Sequence, residues 1–527
     1  MLSGQDDTRF YGPFETRREK TFPAKLISYR HLSLLVTFFV ISFTAGCATV
    51  GPDFVPPGLN VDQTWHTTLE KGLFMQKTDP EELAQWWSTL NDPMLSEFME
   101  LTVKANPDLK EALARIREAR ARLGISEARF FPEVDSSAAF TQRRSSETIG
   151  TGSESKLYTA GFDARWELDI FGGVRRSVEA AEADLQVTEE DLNHVLVSLL
   201  AEVALNYVQV RTFQARIKVA EANLSTQQET YDLTRFRFQA GLIDELAVKQ
   251  ALYNLENTRS QIPLLRSGLE ITKNRLAVLT GKQPGAVHEK LTAYGDIPVT
   301  PLNIAVGVPA ETLRRRPDIR RAERRIEAQN ARIGVAAANL YPKFQLNGSI
   351  GLESFSSSNL LNYESHTWRF GPFISWNVFD AGAIRKNIEV QSAIHEQVLI
   401  QYESTVLGAL EEVENALVAF VEEHYRRKSL ITATEAARQA ALLSQDRFTA
   451  GLVDFSSVLD SQRSLLSFQD QLARSEGEVT ANLIRLYKAL GGGWNSFSND
   501  IEYSHNMDQP DKRSLELIET SFHSGSR

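Results

Sequence analysis

Cysteine is almost absent: Cys47 is the single one in 527 residues, so no intrachain disulfide is possible. Nine histidines are scattered, and none forms a metal-ligand pair at helical spacing. Five dispersed methionines give no sign of a copper-handling interior. Gly-x-Ser-x-Gly, the P-loop, His-Glu-x-x-His and paired cysteine ligands are all missing, so no catalysis, cofactor or metal is expected. Positive charge is also short. Lys and Arg number 57 against 68 Asp and Glu, and the net charge of −11 argues against nucleic acid as a partner. The arginines between 314 and 325 do not alter this, because Glu323 and Glu327 intersperse them. After Cys47 no apolar run reaches the ~20 residues of a transmembrane helix.

Helix breakers are missing over long stretches. Val174 to Phe238 contains neither proline nor glycine, and Gly382 to Phe448 is interrupted only by Gly408. At ~1.5 Å per residue each stretch is a helix of roughly 100 Å.

What is present begins at the N-terminus. Arg17, Arg18, Lys20, Lys25 and Arg30 precede the apolar run Leu32 to Phe43, the layout of a secretory signal. Thr44-Ala45-Gly46-Cys47 resembles a bacterial lipobox, which implies removal of residues 1–46 and lipidation of Cys47. The plainer alternative is a lone structural cysteine in a signal anchor. Ala48, in place of an aspartate, implies the outer rather than the inner membrane.

The chain also repeats itself. Arg237-Phe238-Gln239-Ala240-Gly241-Leu242-Ile243-Asp244 recurs as Arg447-Phe448-Thr449-Ala450-Gly451-Leu452-Val453-Asp454, an offset of 210 residues. Pro107 and Pro317, Pro132 and Pro342, Trp166 and Trp376, and Gly281 and Gly491 keep the same offset. Two copies of a large unit follow, not a solenoid of small ones. Each unit reads as helix, strand, strand, long helix, tight turn, long helix. The first helix is expected over Asp108 to Phe131 and Asp318 to Tyr341. Alternating runs at 158–168 and Thr367 to Phe379, with partners around Phe140 and Phe344, reach the ~9–11 residues that cross a bilayer as tilted strands. An ordinary soluble hairpin is the alternative. Leu196, Leu200, Val203, Tyr207 and Val210, and then Val406, Leu410, Val413, Leu417 and Phe420, step as a coiled-coil seam. Pro263 predicts a kink in the first copy alone.

The segments expected are a signal at 1–46, a lipidated segment at 47–105, repeat 1 at 106–281, a linker at 282–315, repeat 2 at 316–491 and a polar tail at 492–527. Four strands cannot close a barrel, and an open edge in lipid leaves backbone groups unpaired. Transmembrane strands therefore require a homo-oligomer, of eight strands from two chains or twelve from three.

Leu313-Arg314-Arg315-Arg316-Pro317-Asp318-Ile319-Arg320-Arg321-Ala322-Glu323, then Ala331-Arg332-Ile333-Gly334 and Tyr341-Pro342, resembles the TolC-like outer membrane efflux family. Cys47-Ala48-Thr49-Val50-Gly51-Pro52-Asp53-Phe54 resembles the mature N-terminus of its NodT lipoprotein branch. The resemblance implies a mainly α chain with a transmembrane β-barrel sector, a homotrimer with a twelve-stranded barrel, and a long periplasmic α-helical barrel. It implies an exit duct for small molecules, lipid-anchored in the bacterial outer membrane and extending into the periplasm. The partners implied are a periplasmic adaptor and an inner-membrane RND-type transporter. A protein-secretion duct and a structural coiled-coil envelope lipoprotein are the alternatives.

Two sites follow from it. The turns Gly241-Leu242-Ile243-Asp244 and Gly451-Leu452-Val453-Asp454 match the tips that meet the adaptor, with Gly241, Leu242, Asp244, Gly451, Leu452 and Asp454 as contacts; the alternative is a capped helix turn. Asp460 and Arg463 match the periplasmic gate, where three symmetry-related carboxylates would repel at a narrow axis. The alternative is an exposed i, i+3 ion pair. Gln250 stands at the Asp460 position of the first copy, so such a ring would hold three acids rather than six.

Overall fold

The computed structural model describes residues 49–59, 61–76, 79–298 and 304–494. Cys47, the signal segment and the tail beyond Trp494 lie outside them. In chain order the main elements are β1 (Leu73–Phe74), α1 (Pro80–Ala84), α2 (Pro93–Ala105), α3 (Pro107–Ala128), β2 (Glu133–Arg144), β3 (Glu154–Leu168), α4 (Gly173–Gln239) and α5 (Glu245–Leu279). After the linker come β4 (Ile304–Ala305), α6 (Pro309–Arg315), α7 (Pro317–Ala338), β5 (Lys343–Ser354), β6 (His366–Ser375), α8 (Ala383–Thr449) and α9 (Phe455–Ala489). The long helices α4 and α8 both have 67 residues, and the return helices α5 and α9 both have 35. α3 and α7 start one residue earlier than expected, on Pro107 and Pro317, because a first-turn proline gives up no intrahelical bond. They end at Ala128 and Ala338, since the proline four residues on cannot continue the ladder.

β2, β3, β5 and β6 form one antiparallel sheet in that order. The register places every even-numbered residue of all four strands on one face. That face carries Phe140, Tyr158, Phe162, Trp166, Leu346, Ile350, Trp368 and Phe370. The odd face carries Glu133, Asp135, Asp163, Arg165, Gln345, Asn347, Ser349 and Arg369, with Leu157 and Phe373 as its large apolar exceptions. At the junction of the two copies Gly161 faces Gly351, and a Cβ on either would lie 2.8 or 2.7 Å from a backbone oxygen across the pair. β6 stops at Ser375 rather than at the expected Phe379. Its partner starts only at Lys343, opposite Ser375, after Pro342, so Trp376 to Phe379 have no strand to pair with.

The helices repeat the lateral order of the strands. Next to the sheet the sequence of neighbours is α3, α4, α7, α8; farther along it is α5, α4, α9, α8. Each return helix ends where an upper helix begins. Asn106 caps α3 and donates to the Leu279 carbonyl at 2.8 Å; Arg316, its counterpart, donates to the Ala489 carbonyl at 2.6 Å. Trp166 and Trp376 likewise donate to the carbonyls of Phe130 and Leu340, at 2.8 and 3.0 Å. The repeat therefore extends to the bonds that pin each joint. Arg316 also grips Asp318 at 3.1 and 2.8 Å, and reaches Glu412 at 2.6 Å. Burial alone would raise the Asp318 carboxyl, but the Arg316 bonds and charge hold it below its ordinary range.

The seam residues expected on α4 and α8 are in the core: Leu200, Val203, Tyr207, Val413, Leu417 and Phe420 are all buried. α4 is the one helix among the described residues with a window long and apolar enough to cross a membrane, and 67% of that window is buried inside the fold. Such burial fits a core helix. A belt from both flanking segments wraps one face of the helical layer. Leu73 and Phe74 pair in parallel with Ile304 and Ala305, Trp86 stacks on Tyr487 at 5.5 Å, and Arg211 and Gln214 hold the carbonyls of Ala293 and Leu291. Pro263 lies inside an unbroken α5.

Candidate functional site

The tips at the far ends of the long helices are built by glycine. Gly241 and Gly451 both have φ of +73°, which a side chain resists. The following leucines close each helix with a six-to-one bond, Leu242 N–H to the Arg237 carbonyl at 2.9 Å and Leu452 N–H to the Arg447 carbonyl at 2.8 Å. Both side chains then project outward, 71% and 73% exposed. Asp244 caps α5 by accepting from Ala247 N–H at 3.1 Å. Asp454 differs, because its side chain makes no cap bond. The two tips are also tied together. Arg237 donates to the Phe448 and Thr449 carbonyls at 3.3 and 3.0 Å, where the α8 dipole ends negative. Phe448 and Phe455 pack beneath at 5.2 Å.

Six residues along α9, Asp460 is 77% exposed and its oxygen lies 3.7 Å from Arg463. That distance makes a loose pair. Arg463 bonds more tightly to the other copy: Nε donates to Asn254 Oδ1 at 3.0 Å, a guanidinium N–H meets the Tyr253 hydroxyl, and the charge sits 5.0 Å from that ring. Tyr253 and Asn254 were not singled out from the sequence. The repeat offset was the available signal, since Tyr253 is the first-copy counterpart of Arg463. A polar seam continues beside them. Gln462 donates to Thr230 Oγ1 at 2.9 Å, while Gln227 Oε1, Asn254 Nδ2 and Gln462 Oε1 are buried without partners.

Residues 50–53 fill a slot between α4 and α7. Arg176, nearly fully buried, donates to the carbonyls of Val50 and Gly51 and to Asp53 at 2.7 Å. Asn330 donates to the Pro52 carbonyl at 2.9 Å. Gly51 lies so close to Gly334 that a Cβ would fall 2.5 Å from its Cα. Among the described residues no group of three His, Cys, Asp or Glu side chains could hold a metal ion.

A model of the outer membrane efflux protein family matches residues 99–282 and, again, 308–492. The chain belongs to the outer membrane efflux protein family. It is similar to Nodulation protein T of Rhizobium leguminosarum bv. trifolii, 31% identical over 466 residues, 87% of this chain and 97% of the relative. It is similar to the solvent efflux pump outer membrane protein SrpC of Pseudomonas putida, 29% identical over 470 residues, 88% of this chain and 98% of that one. Among solved structures, the outer-membrane channel OprN matches with a TM-score of 0.80 and 35% identity, over 85% of this chain and 100% of that chain. This efflux protein is therefore an exit duct of the outer membrane that extends into the periplasm, and its family is one of channels rather than enzymes.

Proposed function

We propose that three copies of this efflux protein close head to tail into a twelve-stranded barrel above a periplasmic helical barrel. The observation that carries this is the shared lateral order of strands and helices. β2, α3 and α5 form one edge of the chain; β6 and α8 form the other. An unpaired strand edge in lipid costs several kcal/mol per backbone group, so β2 of one copy must meet β6 of the next. The apolar even face then meets lipid and the polar odd face lines the lumen. Two copies would give an eight-stranded barrel, which side chains fill; three leave a passage. Exposed Leu264 and Ile271 on α5, and Leu407 and Leu442 on α8, are the apolar edges that such closure covers.

The assembled duct passively conducts small molecules delivered by a periplasmic adaptor and an inner-membrane RND-type transporter; the relative SrpC is named as the outer membrane protein of a solvent efflux pump. Leu242 and Leu452 meet the adaptor. Three Asp460 carboxylates line the gate, and Arg463 restrains it. Cys47 carries the lipid anchor. Purified protein tests the reading in planar bilayers. Trimers in the outer-membrane fraction with ion conductance are expected. A soluble monomer, or a trimer without conductance, would defeat it in favour of a structural envelope lipoprotein.

A further inference from the structure

Between α4 and α9 lies a basin of about 430 Å³ with three arginines on its walls, Arg216, Arg474 and Arg485. We infer that this basin is an anion-binding station inside the duct, a reading that rests on the trimeric channel proposed above. Its ligand is a carboxylate- or phosphate-bearing solute in transit.

The belt identifies which face of the helical layer is which. A belt inside the passage would plug it, so the belt face is the outer one. On α4 the belt is held by Arg211; Gln209 and Arg216 of the basin are roughly 140–160° away around the helix. On α9 the belt touches Thr480, which donates to the Pro298 carbonyl at 2.8 Å, and Tyr487. Arg474 lies roughly 120–140° from both. The basin thus opens on the bare face, toward the lumen. It is also distant from the lateral edges, since α4 and α9 are both flanked by helices of the same chain. A neighbouring copy does not cover it.

Its floor is closed. A Cβ on Gly477 would fall 2.1 Å from Thr212 Oγ1, so the two helices touch there and nothing passes between them. Its charges do not cancel. Arg216 is neutralised by Asp470 at 2.7 Å, and Arg485 by Glu478 at 3.1 Å. Arg474 is exposed and, among the described residues, has no ion pair. Helix packing gives no reason for a third arginine at this place. Three chains present three such charges at one height, in a protein whose net charge is negative. An arginine fork suits carboxylate and phosphate oxygens.

Inorganic tripolyphosphate is the probe, applied to full-length trimers in planar bilayers, with spermine as the cationic control. Tripolyphosphate is expected to block the wild-type current, and Arg474→Gln to raise the half-blocking concentration about tenfold, equivalent to one well-made interaction. Arg474→Lys should retain most of the block. Current without probe shows that each variant is folded. Wild-type channels that conduct but resist tripolyphosphate, or equal block of Arg474→Gln, would overturn the anion station while leaving the duct intact. Absence of any current would instead remove the duct reading, and the station with it.

Discussion

Replacing Arg463 by Met keeps the length of the side chain and removes its charge. The structure predicts that this opens the channel more than any change at Asp460 does. Arg463 makes two hydrogen bonds to the first-copy return helix and lies over the Tyr253 ring. A bond from a charged donor contributes about 1.5–3 kcal/mol when buried. Arg463 is 42% exposed, so solvent screening reduces each to about 1 kcal/mol. The tether is then about 2 kcal/mol, or roughly 30-fold in an open–closed equilibrium. Single-channel recording would read this as a rise in open probability. Tyr253→Phe combined with Asn254→Ala should reproduce it, and adding Arg463→Met to that pair should add little. Asp460→Asn should act only through relief of mutual repulsion, with a salt dependence the tether lacks. If Arg463→Met leaves open probability unchanged while Asp460→Asn raises it, Arg463 serves Asp460 and the tether reasoning fails.

Gly477→Ala should push α9 off Thr212 at a cost of about 1–3 kcal/mol, seen as a lower melting temperature of the trimer, and Thr212→Ala in the same chain should recover part of it. Because the Asp318 carboxyl titrates below its unfolded value of 3.8, the stability it contributes is complete above about pH 4 and is lost as pH falls through the folded value. Asp318→Asn should therefore be less stable at neutral pH and show a shallower acid limb when trimer dissociation is followed on gels. Leu242→Glu with Leu452→Glu should leave the trimer and its conductance intact but abolish efflux-dependent resistance in cells.

Much of the architecture is legible along the chain because it is local. Glycine and proline placement alone delimits the 67-residue helices, and the tip glycines mark where a positive φ is required. The alternation at 158–168 shows a strand with one apolar side before any partner is known. The end of β6 is not legible in this way. Trp376 to Phe379 continue the alternating pattern, yet a strand ends where its partner does, and that depends on Pro342, more than thirty residues earlier.

The proposed gate divides along the same line. Asp460 and Arg463 stand three residues apart on one helix, so their proximity is written in the sequence. That Arg463 spends its hydrogen bonds on Tyr253 and Asn254 is a matter of how the two hairpins pack, and no local pattern records it. The basin is similar. Arg216, Arg474 and Arg485 lie on helices distant in sequence, and only the packing of α4 on α9, together with the belt on the opposite side, brings them to one wall. By itself the sequence determined two copies of a unit, their helices and strands, and the positions of their turns, because propensity and periodicity act over a few residues. Tertiary structure decided which face bears the belt, which edges stay open, and which side chains meet across them, because those outcomes depend on contacts between distant segments.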